Sequence, residues 1–168
     1  TLEKIVNNHF GRDIKKKKVK TDLDALKSLD KNEVNISILP YPSTDNDWWV
    51  KFKCFADIFV IGSISESYIG IPQALILGKQ NIEYTDKNIV LATIEIKSKE
   101  VQQYTSLLSS ENYTIIAERA IDSHKSIIIF ASKAITEEEI EDKIEVIENN
   151  KLSLQDSLKI MGVYAVFK

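Results

Sequence analysis

Ile89-Val90-Leu91-Ala92-Thr93-Ile94-Glu95-Ile96-Lys97-Ser98 is the stretch that decides the fold. It is rich in β-branched residues, contains neither Gly nor Pro, and ends at a serine able to cap a helix, so it reads as a strand running into a helix. Strand side chains alternate, which places Val90, Ala92, Ile94 and Ile96 on one face and projects Glu95 and Lys97 from the other. Just downstream, Val101, Tyr104, Leu107 and Leu108 recur at helical spacing. Residues 113–121 and 126–131 then read as two strands joined through Asp122-Ser123-His124-Lys125, a hairpin loop.

Working outward, residues 48–61 alternate more cleanly than any other segment. Trp48, Val50, Phe52, Cys54, Ala56, Ile58 and Val60 would share a buried face of one long central strand. Before it, Pro40-Tyr41-Pro42-Ser43 opens a loop, and residues 33–39 predict a strand with Val34, Ile36 and Ile38 facing one way. Residues 1–10 and 21–29 predict short amphipathic helices, the first ended by Gly11. Residues 74–77 predict a short strand, with turns at 78–80 and 85–88. Toward the C-terminus, Thr136 with Glu139 forms a capping box ahead of Ile140, Ile144 and Ile147. Ser153 with Asp156 opens a second helix with Leu154, Leu158 and Met161 inward and Gly162 as its stop, and residues 163–167 read as a last strand.

The sum is an α+β fold: a mixed or mainly antiparallel sheet of roughly five to seven strands covered by helices, with two C-terminal helices. One domain over 1–168 is expected. It comprises a helical, basic segment at 1–30, a sheet with one inserted helix at 31–135, and helices with a possible last strand at 136–168. Hydrophobic content of 43% and charged content of 28% are those of a globular chain rather than a disordered one. A net charge of −3 gives no global attraction to nucleic acid or acidic lipid. The single cysteine, Cys54, rules out an internal disulfide and a cysteine-rich zinc site. It is expected to be buried and inert within the long strand. With no apolar run long enough to span a bilayer and no charged-then-apolar leader, an intracellular, cytoplasmic setting is the expectation. Thr1 in place of Met suggests a processed product or a fragment.

Three patterns carry candidate chemistry. The Glu95-x-Lys97 strand, followed by a helix and a further strand, resembles the core of the PD-(D/E)xK phosphodiesterases. That resemblance implies that an Asp and Glu95 hold Mg²⁺ at the scissile phosphate while Lys97 orients the attacking water. Asp86 sits a turn away at the far end of the same strand, so Asp57 is the better structural partner. The competing reading of Glu95 and Lys97 is a solvent-facing alternation. The second pattern is the run Lys15, Lys16, Lys17, Lys18 and Lys20. It could bind phosphates, contact nucleic acid or act as a nuclear import signal, or it is a solvated linker between two helices. The third is the aromatic group Tyr41, Pro42, Trp48 and Trp49, either a core edge or, if Tyr41 and Trp49 are exposed, a protein-recognition anchor.

Other clusters carry less. Asp122, Ser123 and His124 are adjacent in a tight loop and cannot form a nucleophile–base–orienter relay, so they read as a polar turn. Gly78-Lys79 lacks the rest of a phosphate loop. No cofactor is expected. The leading expectation is a non-catalytic macromolecule-binding module, regulatory, adaptor or assembly in kind, with a protein partner and no membrane association. The alternative is a Mg²⁺-dependent nuclease using Asp57, Glu95 and Lys97.

Overall fold

The computed structural model describes residues 1–65, 71–81, 88–134 and 157–165. In chain order these form α1 (Leu2–Phe10), α2 (Asp22–Asp30), β1 (Ser37–Pro40), a 3-10 helix (Trp48–Cys54), β2 (Phe59–Ile64), β3 (Ala74–Gly78), β4 (Asn88–Lys97), a 3-10 turn (Ser98–Glu100), α3 (Val101–Ser110), β5 (Thr114–Ala120), β6 (Lys125–Ala134) and β7 (Ser157–Ala165). All seven strands join one sheet in the order β1-β3-β2-β7-β4-β6-β5. Every pairing is antiparallel except β2 with β7.

The sheet has two parts. β7, β4, β6 and β5 stand in the spatial order fourth, first, third, second of a β-α-β-β-…-β chain path, with α3 crossing between β4 and β5. That is the strand order and direction of the ferredoxin-like unit. β1, β3 and β2 make the other part. The two meet where β2 lies parallel to β7, registered at Val60 and Gly162 alone. Gly162 has φ +143°, and a Cβ there would stand 2.6 Å from the Val60 amide nitrogen. Glycine is required because backbone meets backbone at this joint.

Each face of the sheet has its own core. On one face Tyr104 and Leu108 of α3 pack with Tyr113 onto Ala92, Ile94, Ile96, Ile128 and Phe130. On the other, Leu26 and Leu29 of α2 and Trp48, Trp49, Phe52 and Phe55 cover Leu91, Ile127, Ile129, Ala131 and Met161. β4 is therefore covered on both sides, with Thr93 and Glu95 among the residues buried on the second face. It is an interior strand, pairing along its length with β6 and β7.

Several expectations about the fold are corrected. The described C-terminal element is a strand: Ser157–Ala165 is β7, so the second of the two expected C-terminal helices does not form over 157–161, and Gly162 lies inside a strand rather than stopping a helix. Leu158 faces one core and Met161 the other, as strand alternation requires, and the register shift opposite Leu91 and Ala92 brings Tyr164 to the same face as Met161. The first C-terminal helix, expected at 136–149, lies outside the described residues, as do the turn at 85–87 and the segment 82–84.

The long strand expected at 48–61 is also absent. Residues 48–54 form a 3-10 helix, and a strand begins only at Phe59. Trp49, Phe52, Phe55 and Ile58 are buried at a period of three, the 3-10 repeat, and Trp48 beside them is buried as well. Cys54 is exposed rather than buried. In β1, Ser37 and Leu39 face inward, the opposite parity to Val34, Ile36 and Ile38. Ser37 satisfies its hydroxyl by donating to the Ala25 carbonyl.

Candidate functional site

The residues expected to hold a metal do not come together. Glu95 and Lys97 do share a strand face, the one under the 3-10 helix. Glu95 is only 8% exposed, and its carboxylate pairs with the ammonium of Lys53. Asp57 is exposed in the turn before β2. β7 separates β2 from β4, which puts the two backbones roughly 10 Å apart at about 4.8 Å per strand spacing. Among the described residues no group of three or more His, Cys, Asp or Glu side chains could hold a metal ion. The solvent-facing reading of Glu95 is corrected too, since this face of β4 is covered.

The aromatic group is structural. Trp49 is fully buried and its indole N–H donates to the carbonyls of Ser43 and Asn46. Trp48 donates to the Pro40 carbonyl. Tyr41 is half-buried, its hydroxyl 3.0 Å from that of Tyr164 on β7. Burial raises the Tyr41 pKa and, more strongly, that of Tyr164. On β5, Arg119 donates to the Thr44 carbonyl at 2.7 Å and stands 3.8 Å from the Asp47 carboxylate. Residues 41–55 thus form a strap over the sheet, tied to β7, β4 and β5 by Tyr41, Lys53 and the Arg119 pair. Trp49 presents no surface to a partner.

The lysine run has a definite setting. Residues 15–19 form no regular element and lie beside α1 and α2. Lys16 donates to Asn7, Lys18 sits 2.7 Å from Glu3, and Lys17 pairs with Glu33 and donates to Ser28 Oγ at 3.1 Å. The lysine contacts hold the Glu3 and Glu33 carboxyls below their ordinary range, chiefly through hydrogen bonds to Lys18 and Lys17. Lys15 and Lys20 form no ion pair among the described residues. Alongside lies an open recess of about 240 Å³ lined in part by Lys17, Lys20, Lys27, Lys31, Asp24 and Glu33.

α2 forms one wall of this recess because Thr21 caps it, accepting from the Asp24 amide at 3.1 Å. Leu26 and Leu29 then turn into the core while Lys27 and Lys31 turn outward. Lys79 fixes the far end, donating to the Asp30 carbonyl at 2.6 Å and to Asn32 at 3.0 Å. Sequence reading found the run at 15–20 but missed Lys27 and Lys31. The signal was present in the spacing of Lys20, Asp24, Lys27 and Lys31, which keeps to one side of a helix. Lys53, missed as the partner of Glu95, had no such signal. Asp122 is the turn residue expected of it: its carboxylate accepts from the His124 and Lys125 amides, which lower its pKa.

No protein-family model and no curated relative matches the chain. Solved structures of similar fold include prephenate dehydratase from Streptococcus mutans, with 13% identity, a TM-score of 0.59, and coverage of 89% of this chain and 85% of that one. The prephenate dehydratase of Staphylococcus aureus subsp. aureus Mu50 has 10% identity and a TM-score of 0.67, covering 98% of this chain and 96% of the other. A structure described as GqqA, a novel type of quorum-quenching acylase, has 8% identity and a TM-score of 0.70, covering 99% and 90%. At these identities the likeness defines the fold. Among the described residues, no helix is long and apolar enough to cross a membrane.

Proposed function

We propose that this chain is a non-catalytic binding module, a regulatory or assembly part whose partner is another protein. The observation that carries this reading is the pairing of Glu95 with Lys53 beneath the strap. Among the described residues, Glu95 is the one charged residue whose side chain is buried. A carboxylate in that position acts as a catalyst only if it is free to bind a metal or move a proton. Here its partner is a cation of the same chain. Both faces of β4 and β6 are covered by the chain's own α2, 3-10 helix and α3, so recognition falls to the outer surface, where a macromolecule rather than a small substrate finds contact area.

The names of the structural neighbours, two dehydratases and an acylase, do not decide the matter. They attach different chemistries to one fold, and activity belongs to sites grafted on folds. The test is affinity capture with the purified chain, followed by reconstitution from purified components of whatever protein is recovered. A defined protein that binds at a fixed stoichiometry supports the reading. Mg²⁺-dependent cleavage of DNA or RNA by the chain, abolished in Lys97→Ala, contradicts it.

A further inference from the structure

We infer that the recess between α2 and the 15–20 segment is the docking site for an acidic, extended segment of a partner protein. The inference rests on the binding-module reading and names its site. The recess is cationic by construction. Lys20, Lys27 and Lys31 are exposed and have no ion-pair partner among the described residues, and Lys17 lies among them with its charge shared by Glu33. The nine residues of α2 span roughly 14 Å at about 1.5 Å per residue, and Lys20 and Lys31 lie just beyond its two ends, so the row of lysines is a little longer than the helix. That length matches about five residues of extended chain at roughly 3.3 Å each. A row of carboxylates on such a segment can meet the three exposed ammonium groups in turn, Lys31 being the one whose charge also acts on Glu33.

The arrangement of the charges selects a peptide over a nucleic acid. Asp24 and Glu33 interrupt the lysines, so a continuous file of phosphates would meet like charge, whereas an acidic peptide can place a neutral or basic residue there. The net charge of −3 also repels a long polyanion while leaving a short local contact intact. The wall is held in place before anything binds. The Lys17–Glu33 pair, the Lys17–Ser28 bond, the Thr21 cap and the Lys79 contacts at the end of α2 fix the backbone on both sides, which lowers the ordering cost of association.

The probe is a fluorescent 12-residue peptide alternating Glu with Gly and Ser, read by anisotropy against the full chain at low and physiological salt. Controls are the same peptide with Gln for Glu, a 12-nucleotide single-stranded DNA, and inorganic phosphate as competitor. The expected result is saturable binding of the Glu peptide, at least tenfold weaker for the Gln peptide and weakened by salt. The triple variant Lys20→Glu/Lys27→Glu/Lys31→Glu should lose at least tenfold in affinity, and Lys20→Gln/Lys27→Gln/Lys31→Gln a smaller factor in the same direction. Unchanged circular dichroism in both variants excludes a folding defect. Tighter binding of DNA than of the Glu peptide, displacement of the peptide by millimolar phosphate alone, or undiminished peptide binding by both variants overturns the inference. A reconstituted protein partner that binds the triple variant as well as the parent overturns the site and leaves the binding-module reading standing. A chain that binds no protein at all overturns both.

Discussion

Gly162→Ala should disconnect the two parts of the sheet. The residue sits at φ +143°, a backbone conformation that L side chains rarely adopt, and its Cβ would stand 2.6 Å from Val60 N and 2.8 Å from Val60 C. What lies in the way is backbone, not the far end of a flexible side chain, so β2 and β7 must move apart. The strained backbone costs about 1–3 kcal/mol. Loss of a ladder hydrogen bond at the single registered pair, Val60 with Gly162, adds about 0.5–1.5 kcal/mol. The expected loss is therefore about 1.5–4.5 kcal/mol, a large share of the roughly 5–15 kcal/mol available to a domain. Urea unfolding followed by tryptophan fluorescence measures it, since Trp48 and Trp49 are the two tryptophans and both are buried in the core that spans the joint. A loss below about 1 kcal/mol with an unchanged m-value would refute the claim that this glycine joins the two parts.

Three further outcomes follow from the same packing. Lys53→Ala leaves the buried Glu95 carboxylate without its partner and should lower stability by about 1–2 kcal/mol, moderated because Lys53 itself is half exposed; Glu95→Gln in the same background should recover part of the loss in denaturant titrations. Trp49→Ala removes a fully buried indole and two hydrogen bonds, and a loss of about 3–5 kcal/mol by urea denaturation is expected; a loss under about 1 kcal/mol would place the strap off the sheet. Burial raises the pKa of Tyr41 and Tyr164 and pushes that of Tyr113 up to about 12, against 10.0 for a free phenol. The folded chain therefore holds these protons more tightly than the unfolded one. Stability should be intact below pH 10 and fall as pH rises toward 12, with urea midpoints at pH 9 and pH 11 as the comparison.

The strands most legible in the sequence were those with long local patterns. β4 and the β5–β6 hairpin follow from alternation and a polar turn, and α2 from Thr21 and the leucine spacing. The segment 48–58 misled because Phe52 and Ile58 satisfy a period of two and a period of three at once. Only the burial of Trp49 and Phe55, which depends on the sheet beneath, separates them. β7 was hidden for a related reason. Leu158, Met161 and Gly162 look like the end of a helix unless one knows that Val60 needs a glycine opposite it. At the candidate sites, Glu95 and Lys97 were placed correctly on one face, but the pairing with Lys53 spans 42 positions of sequence and leaves no local trace. The lysine run announced itself, whereas its complement on α2 was legible only as spacing.

The account turns on whether a protein is held at the outer surface by charge. Equilibrium titration of the purified chain with its reconstituted protein partner measures this most directly, at about 50 mM and about 200 mM salt. We predict saturable binding that weakens about fivefold or more at the higher salt, with the partner recovered intact. Absence of a saturable complex, affinity indifferent to salt, or chemical conversion of the partner would contradict it.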